Sequence, residues 1–173
     1  NEGKKFSIGE KIYIKKSKIK NFVEKKINYK YFQEKNIRVI KGTNFNYFSE
    51  KAKKKFFKEK YQVTNLSDRM GMRLEGPKLE NVVNTNIRSE GLVKGVVQVP
   101  ADGNPIIMFS DHGTIGGYPK IAAVISADHD KAAQLTPGSN INFIEVSLSE
   151  AEKLYQFYLI DIKNYLEKLN EHN

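Results

Sequence analysis

The chain has 173 residues, a length that fits one domain, or one domain with an extension, and allows a sizeable buried core. It contains no cysteine, which excludes disulfide bonds, thiolate metal sites and a cysteine nucleophile. No apolar run approaches the length of a membrane span, so we expect a soluble, cytoplasmic protein with no membrane partner. The chain starts at Asn1 rather than at a methionine, which suggests that upstream sequence is missing.

The net charge of +9 is distributed unevenly. Residues 1–60 carry 19 of the 29 basic residues but only 6 of the 20 acidic ones, and all but one of those 19 are lysine. A nucleic-acid surface uses lysine for phosphates but also favours arginine for base edges and stacking. The composition therefore favours a solvated lysine-rich face and argues against nucleic acid as a partner.

The first third of the chain predicts few regular elements. Lys11–Ile14, with Ile8 and Ile19, is typical of a short strand or two, and Lys15–Lys35 of a charged linker. Ile37–Ile40 predicts a brief strand. Residues 46–59 predict an amphipathic helix, because four apolar residues recur at helical spacing: Phe45, Phe48, Ala52 and Phe56.

From Tyr61 onward the pattern changes to short strands separated by turns. Pro100–Pro105 predicts a turn, since its prolines fix φ and its Asp-Gly pair tolerates positive φ. Regularly spaced short strands favour a barrel or a sandwich. The predicted strands are Tyr61–Asn65, Met72–Leu74, Val93–Val99, Ile106–Phe109, Ile121–Ser126 and Ile141–Val146.

Two helices are expected near the C-terminus. Ser126–Leu135 predicts a short helix that Thr136–Gly138 ends. Ser149–Glu152 forms a capping box that begins a terminal helix with an apolar stripe. The sequence leaves open whether this stripe packs on the barrel or on a partner subunit. Its members are Ala151, Leu154, Tyr155, Tyr158, Ile162, Tyr165, Leu166 and Leu169.

The segment Ser110–Lys120 is the first candidate site. It places a carboxylate, an imidazole, a hydroxyl, a phenol and three glycines between two apolar runs. Glycines allow positive φ and close approach of a ligand, and donor-rich loops held by strands often bind ligands. A purely structural interpretation also exists, in which Tyr118 is core and Asp111 caps the turn.

A second constellation lies in Ser67–Pro77. Arg69 and Arg73 can each offer a bidentate fork to a carboxylate or phosphate. Nearby carboxylates could instead pair with them internally, and on the residues alone such an Arg–Glu lattice is favoured over ligand contact. The carboxylates concerned are Asp68, Glu75 and Glu90. His129, between two aspartates, has too few neighbouring ligands for a metal, so no metal site is expected.

Several motifs together resemble a known family. They occur in the order Ser67–Pro77, Ser89–Gly91, Gln98–Pro105, Asp111–Ile121 and Ser126–Asp128. The family is allophanate hydrolase subunit 2, also called the biotin-dependent carboxyltransferase family, which includes KipA and the C subunit of 5-oxoprolinase. The resemblance extends from about Ile37 to Glu150, and family members are longer, with an additional N-terminal barrel.

The resemblance implies a mainly β fold with peripheral helices. Residues 37–150 would form a cyclophilin-like β-barrel, and residues 151–173 a C-terminal helix. Residues 1–36 would be the remnant of an upstream barrel and a linker.

The resemblance also implies a function within a complex. The chain would belong to a 5-oxoprolinase-like or urea carboxylase/allophanate hydrolase-like assembly acting on a small amide or lactam. ATP or carboxybiotin would be used by the complex, with no cofactor bound covalently to this chain. The implied partner is a subunit 1 (KipI-like) protein, with a LamB/YcsF-type subunit in the oxoprolinase case, and the isolated piece would be inactive. The alternative is a KipA-like regulatory protein that antagonises a KipI-like partner.

The family motifs nominate individual residues. The pattern Asp-x-x-Thr-x-Gly-Gly-Tyr-Pro-Lys is present, but the usual arginine and glutamine after the aspartate are His112 and Gly113, and a second threonine is Ile115. These departures remove potential donors. The hypothesised chemistry is an anion nest around the paired glycines, with an acceptor oriented or deprotonated beside it. The catalytic candidates are Asp111, His112 and Tyr118, and the substrate-binding candidates are Arg69, Arg73, Thr114, Gly116, Gly117 and Lys120.

Overall fold

The structure is a computed structural model that describes residues 7–13, 15, 35–82 and 86–170. The chain divides into two compact units, Asn1–Tyr31 and Phe32–Asn173. In the first unit, Ser7–Glu10 forms a turn in which the Glu10 amide donates to the Ser7 carbonyl at 3.0 Å. The strand predicted from Lys11 is not formed at residues 11–13, because residues 10–13 are irregular, so this part of the prediction is wrong. Ile14, Ile19 and most of the predicted linker lie outside the described residues.

The described part of the second unit contains nine strands and three α-helices. The helices are α1 (Glu50–Lys58), α2 (His129–Ala133) and α3 (Leu148–Asn170). The strands are β1 (Asn36–Lys41), β2 (Tyr61–Val63), β3 (Gly71–Glu75), β4 (Glu90–Gly91), β5 (Val96–Gln98), β6 (Ile106–Met108), β7 (Ile115–Gly116), β8 (Lys120–Val124) and β9 (Asn140–Glu145).

Seven of these strands form a closed barrel in the order β1-β8-β5-β6-β3-β2-β9. Neighbours are antiparallel except β1 and β9, which pair in parallel from Asn36↔Asn142 to Val39↔Glu145 and close the barrel. Closure leaves no exposed sheet edge, which short strands of this kind would otherwise present. The mainly β fold class with peripheral helices and a C-terminal helix is confirmed, and each strand predicted beyond residue 36 is present.

The barrel interior is filled by alternating side chains from the strands. On three neighbouring strands Val97, Ile107 and Met72 lie in register and are almost fully buried. Helix α1 adds Phe56, whose ring stacks on that of Phe143 with centroids 4.3 Å apart. The helix and the barrel therefore share one hydrophobic core.

Helix α1 begins later than the sequence predicts. Phe45–Tyr47 forms a 3₁₀ turn, and the Ser49 hydroxyl then accepts from the Ala52 amide at 3.1 Å as the N-cap of the α-helix. Ala52 and Phe56 face the core while the lysines face outward. The amphipathic character that predicted the helix is therefore confirmed.

Helix α3 begins earlier than the sequence predicts. Ser147, rather than Ser149, caps it: the Ser147 hydroxyl accepts from the Glu150 amide at 3.2 Å, and its carbonyl accepts from Ala151. The first turns then pack on the barrel through Ala151, Leu154 and Tyr158. Within the described residues, no helix combines the length and the apolar character of a membrane span.

The two shortest strands, β4 and β7, pair with each other outside the barrel, with Glu90 opposite Gly116 and Gly91 opposite Ile115. This ribbon was not predicted. Because Val97 points into the barrel, its neighbours Val96 and Gln98 must point outward, yet they are only 6% and 2% exposed. A Cβ on Gly116 would lie 2.8 Å from the Gln98 amide nitrogen, so the ribbon covers the outer face of β5.

Candidate functional site

The loop from residue 109 to residue 119 runs the length of the barrel. Strands β6 and β8 both pair antiparallel with β5, so the end of β6 and the start of β8 lie at opposite ends of the barrel. Met108 lies beside Gly95, whereas Lys120 lies beside Gln98. The loop residues therefore form two groups, Asp111 to Gly113 at one end and Gly116 to Lys120 towards the other.

Arg69 and Asp111 form an ion pair at the first end. The Arg69 Nε donates to Asp111 Oδ2 at 2.6 Å, and Nη2 contacts the same oxygen. The Asp111 amide also donates to the Arg69 carbonyl at 3.2 Å, which extends the pairing of β3 with β6. The Arg69 side chain is 91% exposed and that of Asp111 is 42% exposed. An ion pair this exposed contributes little stability, so a ligand anion can compete for the guanidinium.

The internal Arg–Glu lattice favoured by the sequence is not found among the described residues. Asp68 instead accepts from the Met70 and Gly71 amides, at 2.8 and 3.0 Å, and so shapes the turn before β3. Glu90 pairs with Lys120. Arg73 lies on the exposed face of β3 and takes part in none of the ion pairs formed within the described part of the chain.

His112 turns back onto its own loop. Its Nδ1 lies 2.6 Å from the Gly113 carbonyl oxygen, which makes that nitrogen the donor, and its amide donates to the Phe109 carbonyl at 3.3 Å. The tautomer with the proton on Nδ1 leaves Nε2 as an acceptor. The ring is half-buried and directly follows Asp111 in the chain.

The paired glycines lie in or beside the ribbon rather than in a left-handed turn. Positive φ among the described residues occurs at Gly9, Gly95, Gly103 and Gly138, so the expectation of positive φ in this loop is wrong. Gly116 and Gly117 nevertheless lie so close to neighbouring atoms that a Cβ atom would be crowded. A Cβ on Gly116 would also lie 2.9 Å from a Leu92 methyl group, and one on Gly117 would lie 3.2 Å from the Ile87 carbonyl.

Thr114 and Tyr118, which flank β7, are exposed residues with hydroxyl groups. Thr114 is exposed, and its carbonyl accepts from the Leu92 amide at 3.0 Å. Tyr118 is 39% exposed, so it is not the core residue that the structural interpretation required. Its backbone carbonyl accepts from the Gln98 side-chain amide at 3.1 Å, which holds the tyrosine in place.

Lys120 is a buried cation with internal partners. Its side chain is 5% exposed and its ammonium group pairs with the Glu90 carboxylate. The hydrogen bond from Lys120 holds the pKa of Glu90 below its usual value, and Asn44 contributes in the same direction. Asn44 also accepts from the Lys120 amide at 3.0 Å. Lys120 therefore joins the ribbon to the barrel, and its ammonium faces Glu90 rather than solvent.

Sequence reasoning assigned no role to the side chains of Asn44 and Gln98, although Gln98 begins one of the family motifs. Both are almost fully buried polar side chains that fix the backbone at the end of the loop, at Tyr118 and Lys120. No periodicity or motif distinguishes a buried amide from an exposed one. Only the place of Gln98 within a predicted apolar strand could have indicated that its side chain is buried.

Two depressions in the described surface lie away from this loop. One, of about 390 Å³, is lined by α1 lysines, and the other, of about 460 Å³, lies beside β2 and Gly138. Neither includes Asp111 or Tyr118. Arg69, Arg73, Asp111, Thr114 and Tyr118 thus offer donors and acceptors on an open surface, which suits a site that a second body completes.

Comparison with known proteins assigns the fold to a family. Residues 1–145 match the family described as "Carboxyltransferase domain, subdomain A and B". The chain belongs to this carboxyltransferase domain family. The resemblance noted from the motifs is therefore confirmed, and the match includes the loop and both arginines.

Two curated relatives of this carboxyltransferase domain are similar over most of the chain. The C subunit of 5-oxoprolinase from Escherichia coli is 36% identical over 168 residues, which cover 97% of this chain and 53% of the relative. Its counterpart from Haemophilus influenzae is 39% identical over 137 residues, covering 78% and 44%. The chain therefore spans about half the length of these relatives.

Solved structures resemble the carboxyltransferase domain as well. The urea amidolyase of K. lactis is 28% identical with a TM-score of 0.72, covering 78% of this chain and 9% of that one. TTHA0988 is also 28% identical, with a TM-score of 0.60, covering 70% and 23%. The barrel thus occurs as one part of much longer chains.

Proposed function

We propose that this carboxyltransferase domain is part of a 5-oxoprolinase-type enzyme, which opens the lactam of 5-oxoproline to glutamate at the expense of ATP. The observation that carries the proposal is the 36% identity to the C subunit of 5-oxoprolinase over 97% of the chain. The exposed loop supports it, because a small anionic lactam requires a cationic fork and nearby acid–base groups.

In this proposal the substrate carboxylate competes for Arg69. Its arrival separates Arg69 from Asp111, and the released Asp111 carboxylate is then free to accept a proton or orient the attacking water. Arg73 and Thr114 supply further donors on the same exposed surface. His112 orients the reacting carbonyl beside Asp111. Tyr118, Gly116 and Gly117 lie towards the other end of the barrel, where they would contact a second reactant or a partner subunit.

Other polypeptide chains would bind ATP and supply the remaining residues of the site. The two depressions described above lie away from the loop, and the chain spans about half the length of its relatives. We propose that the site is completed by two further proteins, a KipI-like subunit 1 and a subunit of the LamB/YcsF type. The isolated chain is then inactive.

Carboxyl transfer from carboxybiotin is the second candidate. It is favoured by the structural similarity to the K. lactis urea carboxylase, at a TM-score of 0.72. The same anion-binding surface would hold the carboxybiotin carboxylate, delivered by another protein. No observation favours a KipA-like regulatory role.

The test is reconstitution of the full-length gene product with its partner subunits, followed by glutamate formation from 5-oxoproline and ATP. The proposal predicts turnover that requires every component. An active complex that needs biotin and bicarbonate instead would show carboxyl transfer. A complex inactive in both assays would contradict both functions.

Variants of the loop test the site. Asp111→Asn should lower kcat/KM by about a hundredfold, because it loses the group that acts on the reacting atoms. Tyr118→Phe should lower it by about tenfold, because it loses a hydroxyl that contacts the completed complex. The matched controls are Asp161→Asn on α3 and Tyr47→Phe, since Tyr47 is 37% exposed, close to the 39% of Tyr118. Wild-type turnover in both loop variants would remove these residues from the mechanism.

A further inference from the structure

The second half of α3 carries an apolar stripe that remains exposed in the described part of the molecule. At the start of the helix, Ala151, Leu154 and Tyr158 pack on the barrel. Beyond Tyr158 the same side of the helix continues, but its apolar side chains are 39% to 53% exposed. They are Leu159, Ile162, Tyr165 and Leu166.

The stripe has the spacing of a coiled-coil seam. Tyr155, Tyr158, Ile162 and Tyr165 follow one another in alternating steps of three and four residues. This is the spacing of the a and d positions of a heptad. Because Tyr158 packs on the barrel, Ile162 and Tyr165 are the seam positions left for a second helix. Leu159 and Leu166 flank the seam on one side. Asp161 and Lys168 flank it on the other.

We propose that this stripe binds the same stripe of a second copy of the chain, with the two helices antiparallel. With Ile162 opposite Tyr165 of the second copy, Asp161 lies beside Lys168 of the second copy, and symmetry repeats this pair. On the other flank, Leu159 meets Leu166 of the second copy. A parallel pair would set Asp161 against a leucine, so the charges select the antiparallel, self-complementary arrangement.

The contact is short, so the dimer is weak. The overlap of about ten residues extends roughly 15 Å along each helix. Such a surface buries less area than a standard stable interface. We therefore expect a dissociation constant in the micromolar range. This inference does not depend on the proposed enzymatic function.

Sedimentation equilibrium of the chain tests the dimer. Protein concentrations between about 1 and 300 µM bracket a micromolar dissociation constant. We expect a monomer–dimer equilibrium that Ile162→Glu weakens by about a hundredfold, because each dimer loses two buried isoleucines. Ile160→Glu is the matched control, since Ile160 is 54% exposed and lies on the opposite side of the helix. Circular dichroism should show equal helix content in both variants. A chain that stays monomeric throughout, or a dimer weakened by Ile160→Glu and not by Ile162→Glu, would overturn the proposal.

Charge exchange tests the orientation. Asp161→Lys alone and Lys168→Asp alone should each raise the dissociation constant about tenfold, and the two together should restore it. The chain has no cysteine, so engineered thiols report proximity cleanly. A mixture of Ile162→Cys and Tyr165→Cys chains should form the mixed disulfide. Preferential Ile162→Cys homodisulfides would instead indicate parallel helices and overturn the antiparallel arrangement.

Discussion

Asp128 is the most deeply buried carboxylate of the described chain, with a side chain that is 1% exposed. It accepts from the Arg38 amide at 2.8 Å and from the Arg38 guanidinium, and it pairs with Lys131 at 3.1 Å. Burial alone would raise the pKa of Asp128, but the hydrogen bonds from Arg38 and the charge of Lys131 outweigh burial and hold it below its usual value. Asp128 therefore joins β1 to α2 as an anion.

Asp128→Asn should destabilise the protein at neutral pH by about 3 to 5 kcal/mol, because it leaves the buried Lys131 without its counter-charge. A lowered folded-state pKa means that the carboxylate stabilises the fold above its unfolded pKa, near pH 4, and that this contribution is lost as the pH falls further. Urea unfolding at pH 7 and pH 3.5 measures both effects. The difference between wild type and variant should shrink at the lower pH, whereas exposed Asp161→Asn should show little effect. An equal difference at both pH values would contradict the role of the charge.

At the scale of the element, the N-terminal end of α3 depends on which of two serines caps the helix. The sequence pattern Ser-x-x-Glu occurs in two overlapping registers, Ser147–Glu150 and Ser149–Glu152, and local sequence alone does not separate them. In the structure Ser147 caps the helix because Val146 is buried against Ile125 and Ala151, which determines where the chain leaves β9.

Ser147→Ala should lower the free energy of unfolding of α3 by about 1 kcal/mol, since an orphaned amide loses its acceptor. Ser149→Ala, inside the first turn, should change it by a few tenths at most. Hydrogen exchange of α3 amides measures the difference locally. Equal protection in the two variants would show that the cap contributes nothing.

The ribbon of β4 and β7 shows the limit of element prediction. Each strand has two residues, too few to show an alternating pattern, and β7 consists of Ile115 and Gly116. Their pairing is a long-range event fixed by the ion pair of Lys120 with Glu90 and by close packing of Gly116 on Gln98. The longer strands, by contrast, were predictable because they are β-rich apolar runs bounded by turns, and in β1 and β9 the buried residues also alternate along the sequence.

For the whole molecule, one core joins α1 to the barrel. Phe56 is fully buried and contacts the rings of Phe57, Tyr61 and Phe143, which come from α1, β2 and β9. These elements are held by contacts between residues far apart in sequence. The loss of one ring should therefore lower the global free energy of unfolding.

Phe56→Ala should lower the global free energy of unfolding by about 3 to 5 kcal/mol through the cavity it leaves. Phe157→Ala on α3, where the side chain is 68% exposed, is the control and should change stability little. Chemical denaturation followed by circular dichroism compares the two. A small effect at Phe56 would mean that α1 unfolds independently of the barrel.

The sequence by itself determined the β-rich class, the order of the barrel strands and the helices beyond residue 36, the family and the residues that form its motifs, because apolar runs, turn signals and motif order are local properties. Tertiary structure decided which motif residues meet. It paired Arg69 with Asp111 and buried Lys120 against Glu90, and it separated the two ends of the loop across the barrel. These outcomes depend on strand register and direction, and those are set only when distant segments pack around a common core.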